Sequence, residues 1–157
     1  MIRVGVLSIS SRSSRGDAED AAGQRICALL PPGYCTTVEY SVVPNEVETI
    51  RVTLREWAAR CDVVLTTGGT GLAANDITPE ATRSVLDREC PGIAEAIRAS
   101  GYARRPHAIL SRGLAGTIGS CLVVNLPGGL VGVEEGMEVI LPFLAHAVDV
   151  VKASGHH

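Results

Sequence analysis

The chain has 157 residues, a length typical of a single domain that can bury a core of its own. Its formal charge of -3 and its two short basic clusters, Arg12/Arg15 and Arg104-Arg105, exclude the broad cationic surface on which nucleic-acid binding depends. No apolar run approaches the roughly 20 residues of a membrane span, and the strand-like start IRVGVLSI is not typical of a signal peptide.

The first half of the chain alternates between β-branched runs, which predict strands, and segments in which apolar residues recur at helical spacing. Its predicted elements are a buried strand over Val4–Ile9, a loop over Ser10–Gly16, a helix over Asp17–Leu30, a strand over Thr36–Val43 and a helix over Glu46–Ala59. Early acidic residues and the terminal Pro31-Pro32-Gly33 are the boundaries expected for the first of these helices.

The second half continues the alternation, with prolines and glycines between the elements. Its predicted elements are a strand over Asp62–Leu65, a helix from its N-cap Thr78 to about Arg88, a helix over Ile93–Ser100, a hairpin around Gly113–Gly119, a strand over Leu122–Leu126 and a helical segment over Val133–Val151. Because Pro142 lacks a backbone N–H, we expect it to kink or divide the last segment.

This order of elements predicts an α/β fold, a three-layer structure in which helices cover both faces of an open, mostly parallel sheet. We interpret residues 1–152 as one domain and residues 153–157 as a tail, whose His156-His157 pair is either native or a tag remnant. Ligands of such sheets bind beyond the carboxyl ends of the strands. The loops Ser10–Gly16, Thr66–Thr78 and Asn125–Gly129 leave those ends, and we expect a ligand site there.

Five cysteines are widely spaced, odd in number and without a C-x-x-C pair: Cys27, Cys35, Cys61, Cys90 and Cys121. This spacing argues against a zinc site and against a disulfide framework. We expect buried thiols in a protein of the reducing cytoplasm.

The segment Thr66–Gly71 reads TTGGTG, in which glycine N–H groups and threonine hydroxyls can surround an oxyanion. It is neither a G-x-x-x-x-G-K-[ST] loop nor a G-x-G-x-x-G turn, and a tight strand-to-helix turn explains it equally well. Asp76 follows the glycines, and a carboxylate beside a phosphate site favours Mg²⁺, while a helix-entry cap is the alternative.

Two further segments carry polar groups that can bind an anion. Asn125–Gly129 reads NLPGG and is consistent with either a ligand site or a plain turn. Ser111-Arg112 offers a hydroxyl and a cation, although a solvated arginine is the alternative. His107 lies four residues before Ser111, but no acid completes a hydrolytic triad, so we do not expect nucleophilic catalysis.

Four stretches together resemble the MogA/MoaB family of molybdenum cofactor biosynthesis proteins, which is related to the G domains of plant Cnx and animal gephyrin. They are VGVLSISSRSSRG, TTGGTGLAANDITPEAT, AILSR and CLVVNLPGG, and they extend from Val4 to Gly129. The resemblance implies an α/β fold assembled as trimers or hexamers. It also implies binding of molybdopterin, to whose terminal phosphate the catalytic members transfer AMP from Mg-ATP, releasing pyrophosphate.

The resemblance also implies which residues form the site. Asp76, Asn45 and Glu46 take catalytic positions, with Asp76 linked to the metal. The implied binding residues are Ser10, Arg12, Gly68, Gly69, Thr70, Gly71, Thr78, Ser111, Arg112, Asn125, Pro127 and Gly128. Of these, residues 68–71 hold the pterin phosphate, Ser111-Arg112 the pterin, and the NLPG turn the nucleotide.

Two positions depart from the family pattern. Ser11 and Asn45 stand where relatives usually carry aspartate, and neither side chain neutralises a divalent cation. Glu46 is adjacent and carries a carboxylate that can compensate. The departures keep a second hypothesis open, a protein that stores or delivers molybdopterin without efficient AMP transfer, and a structural scaffold is a third.

We also expect a homo-oligomer, because the last helical segment carries more apolar residues than a lone helix needs. These are Met137, Ile140, Leu144 and Val148.

Overall fold

The computed structural model describes residues 1–154, and its centre is a six-stranded sheet with the order β2-β1-β3-β6-β5-β4. The strands are β1 (Ile2–Ile9), β2 (Cys35–Val43), β3 (Val63–Thr67), β4 (Arg88–Glu89), β5 (Ala115–Ile118) and β6 (Cys121–Leu126). The first four in the spatial order run parallel, β5 pairs antiparallel with β6, and β4 pairs antiparallel with β5, so β5 alone runs opposite to the other strands. The predicted mostly parallel sheet is confirmed.

Six helices surround the sheet. They are α1 (Ser11–Ser14), α2 (Ala21–Leu29), α3 (Val47–Ala58), α4 (Thr78–Arg83), α5 (Pro91–Arg104) and α6 (Leu130–Ser154), and a 3-10 turn spans Pro106–Leu110. No helix within residues 1–154 is long and apolar enough to cross a membrane. Ala153 and Ser154, which were predicted to belong to the tail, continue α6, whereas the rest of the predicted tail, with its histidine pair, lies outside the described residues.

Both faces of the central strands are buried, so successive side chains enter two separate cores. Val4 and Val6 of β1 pack into the core shared with α2, α5 and α6, whereas Leu7 of the same strand packs into the core shared with α3 and α4. Each fully buried Val or Leu stabilises the fold by about 1.5–3 kcal/mol. The continuous β-branched runs of the sequence therefore reflect a sheet covered by helices on both faces, as predicted.

The segment predicted as the loop Ser10–Gly16 contains the short helix α1. The helix predicted from Asp17 begins later, at Ala21, and the last helical segment begins earlier, at Leu130.

The boundaries predicted around α4 and α5 are also wrong. The helix expected to reach Arg88 ends at Arg83, because Arg88 and Glu89 pair with β5 instead. The following helix begins at Pro91 and runs to Arg104, since a proline in the first turn lacks only an N–H that would be unpaired anyway. The predicted hairpin exists, but its arms are β5 and β6, and its turn contains Gly119.

The last helix is continuous through Pro142, so the predicted division does not occur. Pro142 lies on an exposed side of α6, where water can bind the carbonyl group that lacks its usual donor. The four apolar residues that suggested an oligomer, Met137, Ile140, Leu144 and Val148, are all buried within the chain itself. The chain's own sheet accounts for their apolar character, so they give no reason to expect a partner.

All five cysteines are free, and Cys35, Cys61 and Cys121 are buried as expected. Burial raises the pKa of the Cys61 thiol to about 11 and that of Cys121 to about 12, which keeps both thiols neutral at physiological pH. Cys90 is exposed, so the prediction of buried thiols does not hold there.

Candidate functional site

The carboxyl ends of three adjacent parallel strands meet at one edge of the sheet. Ser8 of β1 lies opposite Thr67 of β3, and Thr67 lies opposite Leu126 of β6. Because parallel strands end at the same edge, the loops that follow these residues begin side by side. The predicted convergence of the three loops is confirmed, and the site begins there.

The glycine loop, residues 68–71, has a backbone that requires glycine. Gly68 and Gly69 have φ angles of 97° and 69°, in the region that L side chains rarely adopt. A Cβ on Gly68 would overlap the carbonyl oxygen of Ile9, and a Cβ on Gly128 would lie 3.1 Å from the Cα of Gly68. The loop is therefore packed between the end of β1 and the NLPGG turn.

Two threonines fasten this loop to its neighbours. The Thr67 hydroxyl donates to the carbonyl oxygen of Pro127 at 2.6 Å, which joins the glycine loop to the NLPGG turn. The Thr78 hydroxyl donates to the Gly68 carbonyl at 2.9 Å, and its backbone N–H donates to the Gly69 carbonyl at 3.0 Å. Thr78 is thus the first residue of α4 and not its N-cap, which is Ile77, and its hydroxyl hydrogen is used within the protein.

Arg112 donates hydrogen bonds within the protein from all three guanidinium nitrogens. Nε donates to the Gly71 carbonyl at 2.8 Å, and Nη2 donates to the Asp76 carbonyl at 2.7 Å. Both Nη atoms also bind the Glu80 carboxylate, at 2.7 and 3.1 Å. Hydrogen bonding to Arg112 lowers the pKa of Glu80 and correspondingly raises the pKa of Arg112. Arg112 thus braces the outer part of the glycine loop against α4, and Glu80 is a partner that sequence reasoning missed.

Asn125 is buried and holds three segments together through its side chain. Its Nδ2 donates to the hydroxyl groups of Thr66 at 2.9 Å and Thr82 at 3.1 Å, and its Oδ1 accepts from the Leu114 N–H at 3.0 Å. These contacts use both amide protons of Asn125. Its side chain therefore holds the strand ends in place and has no amide proton left for a ligand.

Ser111 faces a cavity beside the glycine loop, with its Oγ 3.4 Å from the Thr70 Oγ1. Arg98 of α5 holds the backbone around it, because its Nη1 donates to the carbonyls of Gly113 at 2.9 Å and Ser111 at 3.3 Å. Sequence reasoning missed Arg98, since an arginine on a helix gives no local sign of which distant carbonyls it contacts.

Asp76 is half-buried and lines the same cavity. Its Oδ2 accepts from the Ala73 N–H at 3.0 Å, and a Cβ on Gly71 would approach that oxygen to 2.7 Å. The Oδ1 accepts no hydrogen bond from residues 1–154. Asp76 is not the cap of α4, so the alternative interpretation as a helix-entry cap fails.

The two positions that depart from the family pattern contact each other directly. Asn45 Oδ1 accepts from the backbone N–H of Ser11 at 3.0 Å and from its hydroxyl at 3.1 Å, while the Asn45 N–H donates to the same hydroxyl at 3.0 Å. Asn45 Nδ2 donates to the Asn75 carbonyl at 3.1 Å. This neutral pair therefore links the loop after β1, the end of β2 and the residue before Asp76.

The remaining predicted residues, Ser10, Arg12 and Glu46, are the sequence neighbours of Ser11 and Asn45. Ser10 is the N-cap of α1 and accepts from the Ser13 N–H at 3.2 Å. Arg12 is exposed, and its guanidinium forms no hydrogen bond or ion pair with residues 1–154. Glu46 is exposed at the start of α3 and accepts from the Thr49 hydroxyl at 3.0 Å.

Two cavities flank the contact between Gly68 and Gly128. The first has a volume of about 320 Å³ and extends from the glycine loop toward α5 and α6, past Asp76 and Ser111, with the exposed His107 at its rim. The second, of about 200 Å³, lies between the glycine loop and the start of α2. Its polar lining includes Ser8, Ser10, Thr67 and Asp20.

Asp20 is a third residue of this site that the sequence did not indicate. Its carboxylate accepts from the hydroxyl groups of Ser8, at 2.8 Å, and Tyr40, and from the Gly23 N–H at 3.1 Å as the cap of α2. Burial and the hydrogen bond to Asp20 raise the pKa of Tyr40, so its phenol remains a donor at physiological pH.

Residues 1–154 contain no group of three or more His, Cys, Asp or Glu side chains that could hold a metal ion by themselves. Asp76 contributes a single carboxylate, whereas the side-chain oxygens of Asn45 and Ser11 are engaged with each other. Mg²⁺ is commonly bound by one or two carboxylates together with substrate phosphates, so this donor set fits an ion that arrives with a nucleotide.

A family model described as "probable molybdopterin binding domain" matches residues 5–146. The molybdopterin adenylyltransferase of Helicobacter pylori strain J99 is 39% identical over 154 residues, which cover 96% of this chain and 88% of that protein. The molybdenum cofactor synthesis protein cinnamon of Drosophila melanogaster is 39% identical over 153 residues, which cover 96% of this chain. The chain spans only 26% of the length of cinnamon.

Among solved structures, the molybdopterin biosynthesis enzyme MoaB of Thermus thermophilus superimposes with a TM-score of 0.92. It is 46% identical, and the match covers 98% of both chains.

Proposed function

Because the chain belongs to the family of the probable molybdopterin binding domain, we propose that it is a molybdopterin adenylyltransferase of molybdenum cofactor biosynthesis. In this proposal it binds molybdopterin and ATP together and transfers AMP to the terminal phosphate of the pterin. Relatives named molybdopterin adenylyltransferase align with this chain over most of their own length, which supports the assignment.

The observation that carries the proposal is the pair of cavities that flank the Gly68–Gly128 contact and share Gly128 in their linings. A transfer between two phosphate-bearing substrates needs two binding spaces that join where the phosphates react. We propose that the cavity lined by Ser111 takes the pterin and that the cavity lined by Ser10 takes the nucleotide. Residues 68–71 then lie at the junction of the two sites.

In the reaction, an oxygen of the pterin phosphate forms a bond to the α-phosphorus of ATP. The bond from that phosphorus to the bridging oxygen breaks, and pyrophosphate leaves with the electron pair. No covalent intermediate on the protein is needed, so the protein contributes by positioning the reactants and by placing N–H groups near the charged oxygens. The glycine loop can do both, because residues without Cβ let phosphates approach the backbone.

We propose that Mg²⁺ enters with ATP and that Asp76 contributes the protein's carboxylate to it. The ion would supply positive charge to the phosphates. Asp76 Oδ1 suits this role, since Oδ2 is held by Ala73 and the unbonded oxygen remains for a ligand.

The decisive experiment measures pyrophosphate release and adenylylated pterin with molybdopterin and Mg-ATP. Asp76→Asn is expected to lower kcat at least 100-fold, an order of magnitude typical of removing one electrostatic group from such a site. The control is Asp149→Asn, which removes an exposed carboxylate of α6 and is expected to leave the rate unchanged. Absence of AMP transfer by well-folded wild-type protein would refute the proposal.

The contact between Ser11 and Asn45 favours a second candidate, a molybdopterin-binding or carrier protein with weak adenylyl transfer. The two groups that would be acidic in relatives satisfy each other here, so they add no negative charge for a metal. If this candidate is correct, calorimetry will detect pterin binding without productive Mg-ATP binding. Replacing both residues with aspartate is then expected to increase pyrophosphate release.

We further propose a homotrimer or a trimer-based hexamer and a cytoplasmic location. The assembly follows from the family resemblance, and five unpaired thiols are consistent with a reducing compartment. Light scattering at micromolar concentration tests the assembly, and a monomer would contradict it.

A further inference from the structure

The lining of the first cavity includes a buried carboxylate that the proposed phosphate chemistry does not use. Glu135 of α6 is 5% exposed and lines the cavity together with Arg105. A buried charge is costly unless it is paired and hydrogen-bonded. Glu135 therefore needs cationic or hydrogen-bonding partners. The groups that these partners leave unused determine which hydrogen bonds the cavity can form with a ligand.

Arg105 and Arg104 pair with this carboxylate. Arg105 Nη2 donates to Glu135 Oε1, and Arg104 Nη1 lies 3.6 Å from Oε2. The protein does not satisfy all of the Arg105 donors, because its Nε is buried without an acceptor among residues 1–154. The cavity lining thus contains a carboxylate with accepting capacity left and an arginine whose hydrogen-bonding groups the protein does not fully satisfy.

The cavity wall between this pair and Ser111 is made of small or apolar residues. It includes Ile97 and Gly101 of α5, Ala108 of the 3-10 turn and Gly132 of α6. Side chains of this size leave a space that suits a planar heterocycle. A few polar groups in an otherwise apolar cavity are typical of sites that fix the orientation of one heterocycle.

We propose that Glu135 and Arg105 recognise the 2-amino-4-oxopyrimidine edge of the pterin. That edge presents two N–H donors beside one carbonyl acceptor, which matches a carboxylate next to a guanidinium. Adenine presents one amino group beside a ring nitrogen that only accepts, so it cannot donate two hydrogen bonds to the carboxylate. The identity of the ligand rests on the proposed function, and Glu135 and Arg105 act as specificity-determining residues for the heterocycle.

The test compares three free heterocycles on the full-length protein by fluorescence titration and calorimetry. They are pterin, lumazine and adenine. In lumazine a carbonyl group replaces the 2-amino group of pterin. The wild type is expected to bind pterin about tenfold or more tightly than lumazine, because lumazine would place a carbonyl oxygen against the carboxylate. Adenine is expected to bind more weakly than pterin.

Glu135→Gln is expected to reduce the preference for pterin over lumazine to less than about threefold, since glutamine no longer accepts at both oxygens. The matched control is Glu138→Gln, one turn away on α6, which is exposed and contacts Arg104 at 3.0 Å. This control is expected to keep the preference of the wild type. A merely structural role of Glu135 would weaken both ligands equally and leave the ratio unchanged.

Three results would overturn the inference. They are equal binding of pterin and lumazine by the wild type, an unchanged ratio in Glu135→Gln, and tighter binding of adenine than of pterin. The wild-type comparison needs no variant, so a folding defect in Glu135→Gln does not remove the test. AMP transfer is measured separately: its absence with an intact pterin preference refutes only the proposed enzyme activity, whereas transfer without that preference refutes only the role of Glu135.

Discussion

Arg112→Ala should destabilise the protein by loosening the glycine loop, although the residue was expected to bind the substrate. The substitution removes hydrogen bonds to the carbonyls of Gly71 and Asp76, at 2.8 and 2.7 Å, and the paired contact with Glu80. Each hydrogen bond to a carbonyl contributes about 1 kcal/mol net, and an exposed ion pair less than about 1 kcal/mol. Because the arginine side chain is 36% exposed, we expect a total loss of about 2–3 kcal/mol in the free energy of unfolding.

Urea unfolding of the wild type, Arg112→Ala, Glu80→Ala and the double variant measures these terms separately. Glu80→Ala alone should cost less than about 1 kcal/mol, because it leaves both carbonyl contacts of Arg112 in place. Hydrogen exchange over residues 70–77 should become faster in Arg112→Ala and change little in Glu80→Ala. The coupling energy of the double-mutant cycle then reports the ion pair alone.

The alternative role for Arg112, direct binding of the substrate's anion, predicts the opposite pattern. Glu80→Ala would then release the guanidinium and lower KM, while Arg112→Ala would raise KM without changing stability. An unfolding free energy of Arg112→Ala within about 0.5 kcal/mol of the wild type, the usual range for surface substitutions, would refute the role of Arg112 as a brace.

Two further predictions concern the glycine loop and acid stability. Gly68→Ala should abolish AMP transfer and cost more stability than Gly33→Ala, because both residues have φ near 95° but only the new Cβ at Gly68 overlaps β1. The added cost should be at least about 1 kcal/mol by urea unfolding. Burial by itself raises the pKa of Asp62, but hydrogen bonds from Arg3 and Lys152 lower it to about 2. Since this pKa lies below its unfolded value near 3.9, we expect about 2 kcal/mol of stability that is complete above about pH 5 and is lost as the pH falls toward 2.

Each of these predictions has an outcome that contradicts it. Equal stability of the two glycine variants, or full activity of Gly68→Ala, would mean that the loop adapts to a side chain. Asp62→Asn should flatten the decline in unfolding free energy between pH 5 and pH 2. A decline as steep as that of the wild type would assign the acid sensitivity to other carboxylates.

Local patterns in the chain were sufficient to predict most of the elements. Runs of β-branched residues predicted the parallel strands, and prolines and glycines predicted most of their ends. These predictions succeed because a strand, a helix or a turn is favoured by residues that are close together in the sequence. The short edge strand Arg88–Glu89 was missed, since its only stabilising partner, β5, lies about 30 residues further along the chain. The apolar face of α6 was predicted correctly, but it was expected to contact another subunit, whereas it packs against the chain's own sheet.

By itself, the sequence determined the order of strands and helices, the glycine loop, Asp76 and the edge of the sheet where the site lies. These features follow from composition and spacing over a few residues. Only the tertiary structure decided which polar groups remain available to a ligand. It joined Ser11 to Asn45, Arg112 to Glu80 and Arg105 to Glu135, at separations of 34, 32 and 30 residues. Each of these side chains has many partners of suitable chemistry in the sequence, and folding selects one by bringing it within hydrogen-bond distance.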